Sequence, residues 1–144
     1  MLPFPDNIAR FFRDNHVVSL AIADSDGIWC ASCFYVFDEA AARLVVLTSR
    51  KTRHGQMMAA NPNIAGTIAA QPDSITQIKG IQFTARAECL EQPEARRTAL
   101  ALYTQAHPIA KAYLSDVWAL DLQTVKYTDN KLVFAQKTYW QREE

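Results

Sequence analysis

The sequence predicts a mainly β (α+β) protein, in which an antiparallel sheet of six or seven strands closes into a barrel and carries a few short flanking helices. Short apolar runs with one-sided alternation recur along the chain and are separated by turn residues. We interpret successive runs with this one-sided alternation as antiparallel strands. A sheet of this size avoids long open edges by curling shut.

Composition and length limit the classes of function. The 144 residues, of which 49% are hydrophobic, can form one domain over 1–144. Fifteen basic residues balance fifteen acidic ones, so we expect no nucleic-acid or acidic-membrane partner. The N-terminus lacks signal-peptide features, and no apolar run has membrane-spanning length. We therefore expect a cytoplasmic protein whose three cysteines are free thiols.

The first part of the chain predicts a helix and then a β-hairpin. Residues 6–15 place apolar side chains on one face of a helix, which we expect to cover an opening of the barrel. Residues 17–23 and 28–37 are predicted strands joined by a turn, with Gly27 where a positive φ is required. We interpret the two aspartates before Gly27 as turn residues, although two carboxylates could share acid–base work.

The second strand contains Cys30 and Cys33 in a Cys-x-x-Cys pattern, which is typical of redox dithiols and zinc sites. Strand side chains alternate, so these two cysteines face opposite sides, and neither Cys89 nor the scattered histidines have metal-ligand spacing. We therefore expect no metal site. The small residues Ala31, Ser32 and Cys33 leave room for a flat ligand against the backbone, with ordinary core packing as the alternative.

A polar turn after the third strand, residues 44–47, is the main candidate for a binding site. The apolar strand ends at Thr48, and either Ser49 or Thr52 can cap the following helix, whose first free amides favour an anion. A phosphate would suit this turn, whereas the alternative is a solvated basic turn. The cations near it are Arg50, Lys51, Arg53 and His54.

The rest of the chain predicts four strands and two helices. In order these are strands 64–70 and 78–90, a helix from 93 to 103, a short helix at 109–114, and strands 117–128 and 132–140. Gly66 predicts either a bulge or a close approach within its strand. His107 precedes a proline and is interpreted as a helix-end residue rather than a catalytic base.

Several motifs together resemble known protein families. Leu47-Thr48, Thr52-Arg53-His54 and Asn61-Pro62 are similar to the Tyr-Thr, Ser-Arg-Lys and Asn-Pro spacing of the pyridoxamine 5'-phosphate oxidase-like FMN-binding split barrels, over about residues 17–90. The uncharacterised bacterial YhbP-like proteins resemble nearly the whole chain. The segments that carry this closer resemblance are Trp29-Cys30-Ala31, Phe34-Tyr35, Lys51-Thr52-Arg53-His54, Gln71-Pro72, Gly80-Ile81-Gln82-Phe83 and Thr128-Asp129-Asn130.

The resemblance implies a split barrel that binds FMN. Its motif positions for the cofactor are Ala31, Ser32, Cys33, Leu47, Thr48, Lys51, Thr52, Arg53 and His54. In the oxidases, the phosphate is held by the residues corresponding to Thr48, Arg53 and His54, and strand backbone at 31–33 lines the isoalloxazine. His54 replaces a Lys, so Lys51 or Arg50 would supply the missing charge.

Two further departures concern the reaction. Cys30 stands where the oxidases have an Arg, and residues 137–142 contain no counterpart of their C-terminal Arg motif. Pyridoxamine phosphate oxidation is therefore not expected. Three hypotheses remain: an FMN-dependent oxidoreductase with an unknown substrate, which we favour, a non-enzymatic flavin- or haem-binding barrel, and a cofactor-free interaction barrel.

The resemblance also implies a homodimer with the cofactor in its seam. The strands carry more apolar residues than the inside of a small barrel can bury, and a second copy of the chain could cover the remainder. The residues considered for this surface are Phe34, Tyr35, Phe37, Phe83, Trp118 and Phe134.

Overall fold

The computed structural model describes residues 2–130 and 136–143. The helices are α1 (Asp6–Asp14), α2 (Arg53–Ala60) and α3 (Pro93–Ala106), and the strands are β1 (Val17–Asp24), β2 (Gly27–Asp38), β3 (Arg43–Leu47), β4 (Asn63–Ala69), β5 (Lys79–Cys89), β6 (Val117–Asp129) and β7 (Gln136–Gln141). Short 3₁₀ turns lie at Ile75–Gln77 and Pro108–Ala112. Among the described residues, no helix has the length and apolar character needed to cross a membrane.

The strands form one antiparallel sheet that closes into a ring. Their order is β3-β2-β1-β4-β5-β6-β7, and an additional pairing of β3 with β6 closes six strands. Arg43 to Leu47 pair with Asp121 to Val117, while β7 continues along the same side of β6. The predicted mainly β barrel with short helices is therefore confirmed.

The inside of the ring is filled by alternate residues of each strand. In β1, Val18, Leu20 and Ile22 are buried, whereas the residues between them face outward. Gly66 confirms the close approach: a Cβ at this position would lie 2.4 Å from Cζ of Phe83. The bulge in this part of the sheet lies instead between β5 and β6, at Thr84 and Ala85.

The helices cover the barrel at different places. Helix α1 packs its apolar face on the core, as predicted, and the Phe12 ring stacks on Phe37 with centroids 4.6 Å apart. Helix α2 inserts Met57 and Met58 into the same core. Helix α3 packs outside the ring, where Tyr103 belongs to a second apolar cluster with residues of β3 and β6. These positions leave the turn before α2 at the barrel rim.

The side chain of Arg142 joins three segments beside β6. Its Nε donates to the carbonyl of Leu122 at 2.7 Å, and Nη2 donates to the carbonyl of Ala42 at 2.6 Å. Ala42 has a φ of 52°, a left-handed conformation that is uncommon for a residue with a side chain. Arg142 therefore stabilises the strained turn that leads into β3.

Three sequence predictions need correction or qualification. The predicted helix at 109–114 is a 3₁₀ turn at Pro108–Ala112. Of the predicted strand 132–140, the structure gives β7 from Gln136, and residues 132–135, including Phe134, lie outside the described residues. Most apolar residues assigned to a dimer surface are covered by the barrel itself: Tyr35, Phe83 and Trp118 are buried, and Phe37 packs on the core.

Candidate functional site

The turn between β3 and α2 is held by its own hydroxyl groups. The Thr52 hydroxyl donates to the carbonyl of Ser49 at 2.8 Å and accepts from the Gly55 amide at 3.0 Å, so Thr52 is the helix cap. A Cβ on Gly55 would lie 2.3 Å from the Ser49 carbonyl oxygen. Within the described chain, the amides of Arg53 and His54 have no hydrogen-bond acceptor. These amides can therefore bind an anion.

The cations of the turn differ in whether they already have partners. The Arg50 guanidinium pairs with Glu91, and its Nε lies 3.6 Å from Oδ2 of Asp116. The exposed side chains of Lys51 and Arg53 contact no carboxylate among residues 2–130 and 136–143. Lys51 is therefore better placed than Arg50 to supply the positive charge of the Lys that His54 replaces.

His54 is directed to the hydroxyl groups of the turn. Its Nε2 lies 2.6 Å from Oγ1 of Thr48 and 3.3 Å from Oγ1 of Thr52. Burial lowers the pKa of His54, which favours the neutral imidazole near pH 7. Trp118 donates from its indole to the Thr48 carbonyl at 3.1 Å. Thr48 is therefore fixed by both its side chain and its backbone.

A hydrogen bond joins the turn to β2. Burial raises the pKa of the Cys33 thiol, and a hydrogen bond with the Thr48 side chain partly offsets this effect. The thiol of Cys33, the hydroxyl of Thr48 and the imidazole of His54 therefore form one connected group. Such a raised pKa is unfavourable for a reactive thiolate at neutral pH.

The three small residues of β2 do not share one face. Ala31 and Cys33 are paired with the buried Leu20 and Val18, so they lie on the barrel side that adjoins the turn. Ser32 faces outward, where its Oγ lies 3.4 Å from Oγ of Ser19. The remaining cysteine of the motif, Cys30, is exposed on this outer face, which confirms that Cys30 and Cys33 face opposite sides.

Trp29 belongs to the site but is not among the cofactor residues predicted from the sequence. The guanidinium carbon of Arg53 lies 4.0 Å from the centroid of the Trp29 ring, a cation–π distance. The Trp29 side chain remains 42% exposed. It stands two residues before Ala31, so strand alternation alone could have placed Trp29 beside the predicted flat-ligand surface.

Leu47 has a supporting position. Its side chain packs with the apolar cluster between the sheet and α3, on the opposite side of β3 from the buried Val46. The structure thus brings Thr48, Lys51, Thr52, Arg53 and His54 together in one turn, with Ala31 and Cys33 beside it. It does not bring Ser32 or Leu47 to that surface.

Two depressions lie on the outer face of the sheet. One, of about 440 Å³, is lined by outward residues of neighbouring strands, among them Ala21, Ala23, Ile28 and Ala65. The other, of about 550 Å³, lies on β5, β6 and β7, and none of the sequence-predicted cofactor residues lines it. The candidate cofactor site is therefore formed by the turn and the adjoining side of β2.

Proteins with similar sequences cover nearly the entire chain. A UPF0306 protein of Haemophilus ducreyi is 50% identical over 143 residues, which are 99% of this chain and 98% of that protein. A UPF0306 protein of Yersinia enterocolitica is 44% identical over 138 residues, with 95% and 92% of the two chains covered. No family model matches the sequence.

Solved structures of other proteins share the fold at low identity. A haem-binding protein from Mycobacterium smegmatis superposes with a TM-score of 0.74 at 21% identity, over 95% of this chain but only 59% of that protein. An FAD-binding protein from Mesorhizobium loti gives 0.72 at 13% identity, with 92% of each chain covered. The haem storage protein HutZ from Vibrio cholerae gives 0.72 at 18% identity, with 85% and 92% covered.

Proposed function

The chain belongs to the UPF0306 family, and we propose that it is a cytoplasmic flavoprotein oxidoreductase that binds FMN between two copies of the chain. The observation that carries this proposal is the turn before α2. It presents two cations without carboxylate partners, Lys51 and Arg53, and two amides without acceptors within the described part of the chain. A phosphate monoester dianion needs such a set of donors.

The residues around the turn fit the remainder of FMN. Trp29, Ala31 and Cys33 follow one another along the side of β2 that adjoins the turn, and Ala31 has only a methyl group between two larger side chains. A flat ring system can lie against such a surface. FAD-binding and haem proteins among the structural neighbours support a ligand of this shape.

In this site the protein would bind and orient the cofactor. Lys51, Arg53 and the first amides of α2 would hold the phosphate, while Thr48 and His54 fix the turn that presents them. The isoalloxazine supplies the redox chemistry when bound. The chain contributes the position of the ring and its exclusion from water, and this role requires no nucleophilic side chain.

The proposed dimer seam is the outer face of β1, β2 and β4, on the other side of the sheet from Ala31 and Cys33. The bound flavin would therefore reach the second copy where it extends past the barrel rim at the exposed Trp29. Small residues on adjacent strands, Ala21 and Ala65, are paired directly, and Phe34 is 58% exposed at one side of this face. An outward apolar surface of this kind supports burial against a second copy. The resemblance to the FMN-binding split barrels and the YhbP-like proteins supports the same arrangement.

The absorption spectrum of the purified protein, before and after addition of FMN, tests the proposal. A bound flavin gives absorption bands in the near ultraviolet and the blue, and dithionite or a nicotinamide nucleotide bleaches the blue band. A Soret band with no response to FMN would favour the haem-binding alternative. Flavin that binds but is reduced only by dithionite would favour a non-enzymatic flavin protein, and a colourless protein that FMN does not stabilise would favour a cofactor-free barrel.

A further inference from the structure

A cavity of about 300 Å³ lies between β2 and the C-terminal ends of α1 and α3. Two of the three histidines of the chain, His16 and His107, line it together with Asn15. They are far apart in sequence, and this spacing is why the sequence predicted no metal site. The fold brings their ring centroids to 6.1 Å from each other.

The hydrogen bonds of His107 determine which ring nitrogen is available. Its Nε2 lies 2.9 Å from the Tyr35 carbonyl oxygen, and since a carbonyl only accepts, Nε2 carries the proton. In the neutral ring, Nδ1 therefore has a free lone pair. A histidine that binds a metal is commonly oriented through such a bond from its other nitrogen to a backbone carbonyl. The ring is also stacked on Phe34 with centroids 5.6 Å apart.

His16 has both ring nitrogens available. Neither makes a hydrogen bond to any residue within 2–130 or 136–143, while its carbonyl accepts from the Tyr35 amide at 2.9 Å. The same residue, Tyr35, thus fixes the positions of both histidines. A metal–imidazole bond of about 2 Å places each ring centroid about 3 Å from the ion, so two rings on one ion lie roughly 4.5–6 Å apart. The observed separation is at the upper end of this range and corresponds to rings on nearly opposite sides of the ion, and a change of rotamer of the exposed His16 ring would bring them closer.

The surroundings of the two rings favour a cation. Asn15 and His107 are the C-terminal caps of α1 and α3, so two negative helix ends meet at the cavity. The Asn15 amide nitrogen donates to the Phe11 carbonyl at 2.8 Å, which leaves its Oδ1 as an acceptor. Arg13 also lines the cavity, but its guanidinium pairs with Glu39 at 2.7 Å, which neutralises much of the repulsion.

We propose that His16 and His107 bind one divalent first-row transition-metal ion, Cu²⁺ or Zn²⁺, with Asn15 Oδ1 and water in the other positions. Imidazole is a preferred ligand of both ions. Within the described chain, no group of three or more His, Cys, Asp or Glu side chains is placed to hold a metal. Two histidines and one amide oxygen bind an ion less tightly than a closed four-ligand protein site, so the ion can exchange and titration can measure its affinity.

Copper titration of untagged protein, without added flavin, tests the site. We expect one Cu²⁺ per chain at pH 7.5, with nitrogen hyperfine splitting in the electron paramagnetic resonance spectrum. His16→Gln and His107→Gln should each weaken binding about tenfold or more. His54→Gln, which changes the remaining histidine at a separate place, should keep both the affinity and the spectrum.

His16→Gln keeps the test decisive, because the exposed imidazole has no hydrogen-bond partner in the described structure whose loss could unfold the protein. Unchanged affinity in this variant, loss of binding in His54→Gln, or no stoichiometric binding in the wild type would each overturn the proposal. The result is independent of flavin binding, since the two sites share none of their ligands.

Discussion

Arg53 lies over Trp29, with 4.0 Å between the guanidinium carbon and the ring centroid. This contact holds the guanidinium at the start of α2 without the neutralising effect of a carboxylate. Arg53→Ala should therefore remove a charge-assisted bond to phosphate and weaken FMN binding by roughly 1.5–3 kcal/mol, with little effect on riboflavin. Flavin fluorescence titration measures both affinities.

Arg50→Ala is the matched control for Arg53. Its guanidinium is bound by Glu91 and lies close to Asp116, so its loss should change the FMN affinity much less. Equal losses for FMN and riboflavin in Arg53→Ala would show that Arg53 supports the fold, and no loss for either ligand would leave the turn as a solvated basic segment.

Ala65→Arg should disrupt the proposed dimer. Ala65 lies in β4, opposite Ala21 of the middle strand β1, where a second copy would bury the new charge without a partner. Light scattering should report two chains for the wild type and one for the variant, and FMN should be lost with the dimer. Gln105→Arg, on exposed α3, is the control, and a monomeric wild type or a monomeric variant that retains FMN would contradict the seam.

The pH dependence of stability should change in His54→Gln. Burial lowers the pKa of His54 from its ordinary 6.5, so below about pH 6.5 the unfolded chain takes up a proton that the folded chain resists. This contribution to stability is fully present above that pH and is lost as the pH falls towards the lowered pKa. Urea unfolding at pH 7.5 and 5.5 should show a smaller decrease for His54→Gln than for the wild type, and equal decreases would contradict the neutral state.

Gly66→Ala should destabilise the barrel by about 1–3 kcal/mol through overpacking. The new Cβ would meet the Phe83 ring and would also lie 2.9 Å from the backbone oxygen of Ser19, which cannot move as a side chain does. Urea denaturation measures the change. The neighbouring outward substitution Thr67→Ala should cost less than about 0.5 kcal/mol, and a similar small cost for Gly66→Ala would refute the close approach.

Replacing Cys30 and Cys33 by Ser should leave flavin binding and flavin reduction largely intact. The two thiols lie on opposite faces of β2, and burial raises the pKa of Cys33, so they form no local dithiol and no ready thiolate. Reduction by dithionite and by a nicotinamide nucleotide can be followed at the flavin band. Loss of turnover with FMN still bound would require a thiol relay instead.

Local signals in the sequence predicted the elements of the turn. The positive φ of 134° at Gly27 follows from residue type and neighbours alone, and so does a hydroxyl cap of α2, for which the sequence offered Ser49 or Thr52 and the structure uses Thr52. The partners of Arg50 could not be predicted in this way, because Glu91 and Asp116 come from later parts of the chain that only the barrel brings near. This is why the sequence left Arg50 and Lys51 as equal candidates for the phosphate.

The alternation of side chains along a strand predicted which face each residue occupies, but it did not predict what packs against that face. It predicted opposite faces for Cys30 and Cys33, yet it did not show that α1 would cover Tyr35, whose hydroxyl donates to the Phe12 carbonyl at 2.7 Å. Whether a strand residue is buried depends on which strands pair to close the ring, and these pairs join segments that are distant in sequence. For the same reason, the sequence could not predict that His16 and His107 lie close together.

Closure of the ring by β3 and β6 has a consequence for synthesis of the chain. Residues 43–47 leave the ribosome early but pair with 117–121, which emerge after most of the protein has been translated. Until then the β3 edge remains open and available to other nascent chains. We expect long-range pairing to limit the folding rate, and chains arrested before β6 to need a chaperone to stay unaggregated.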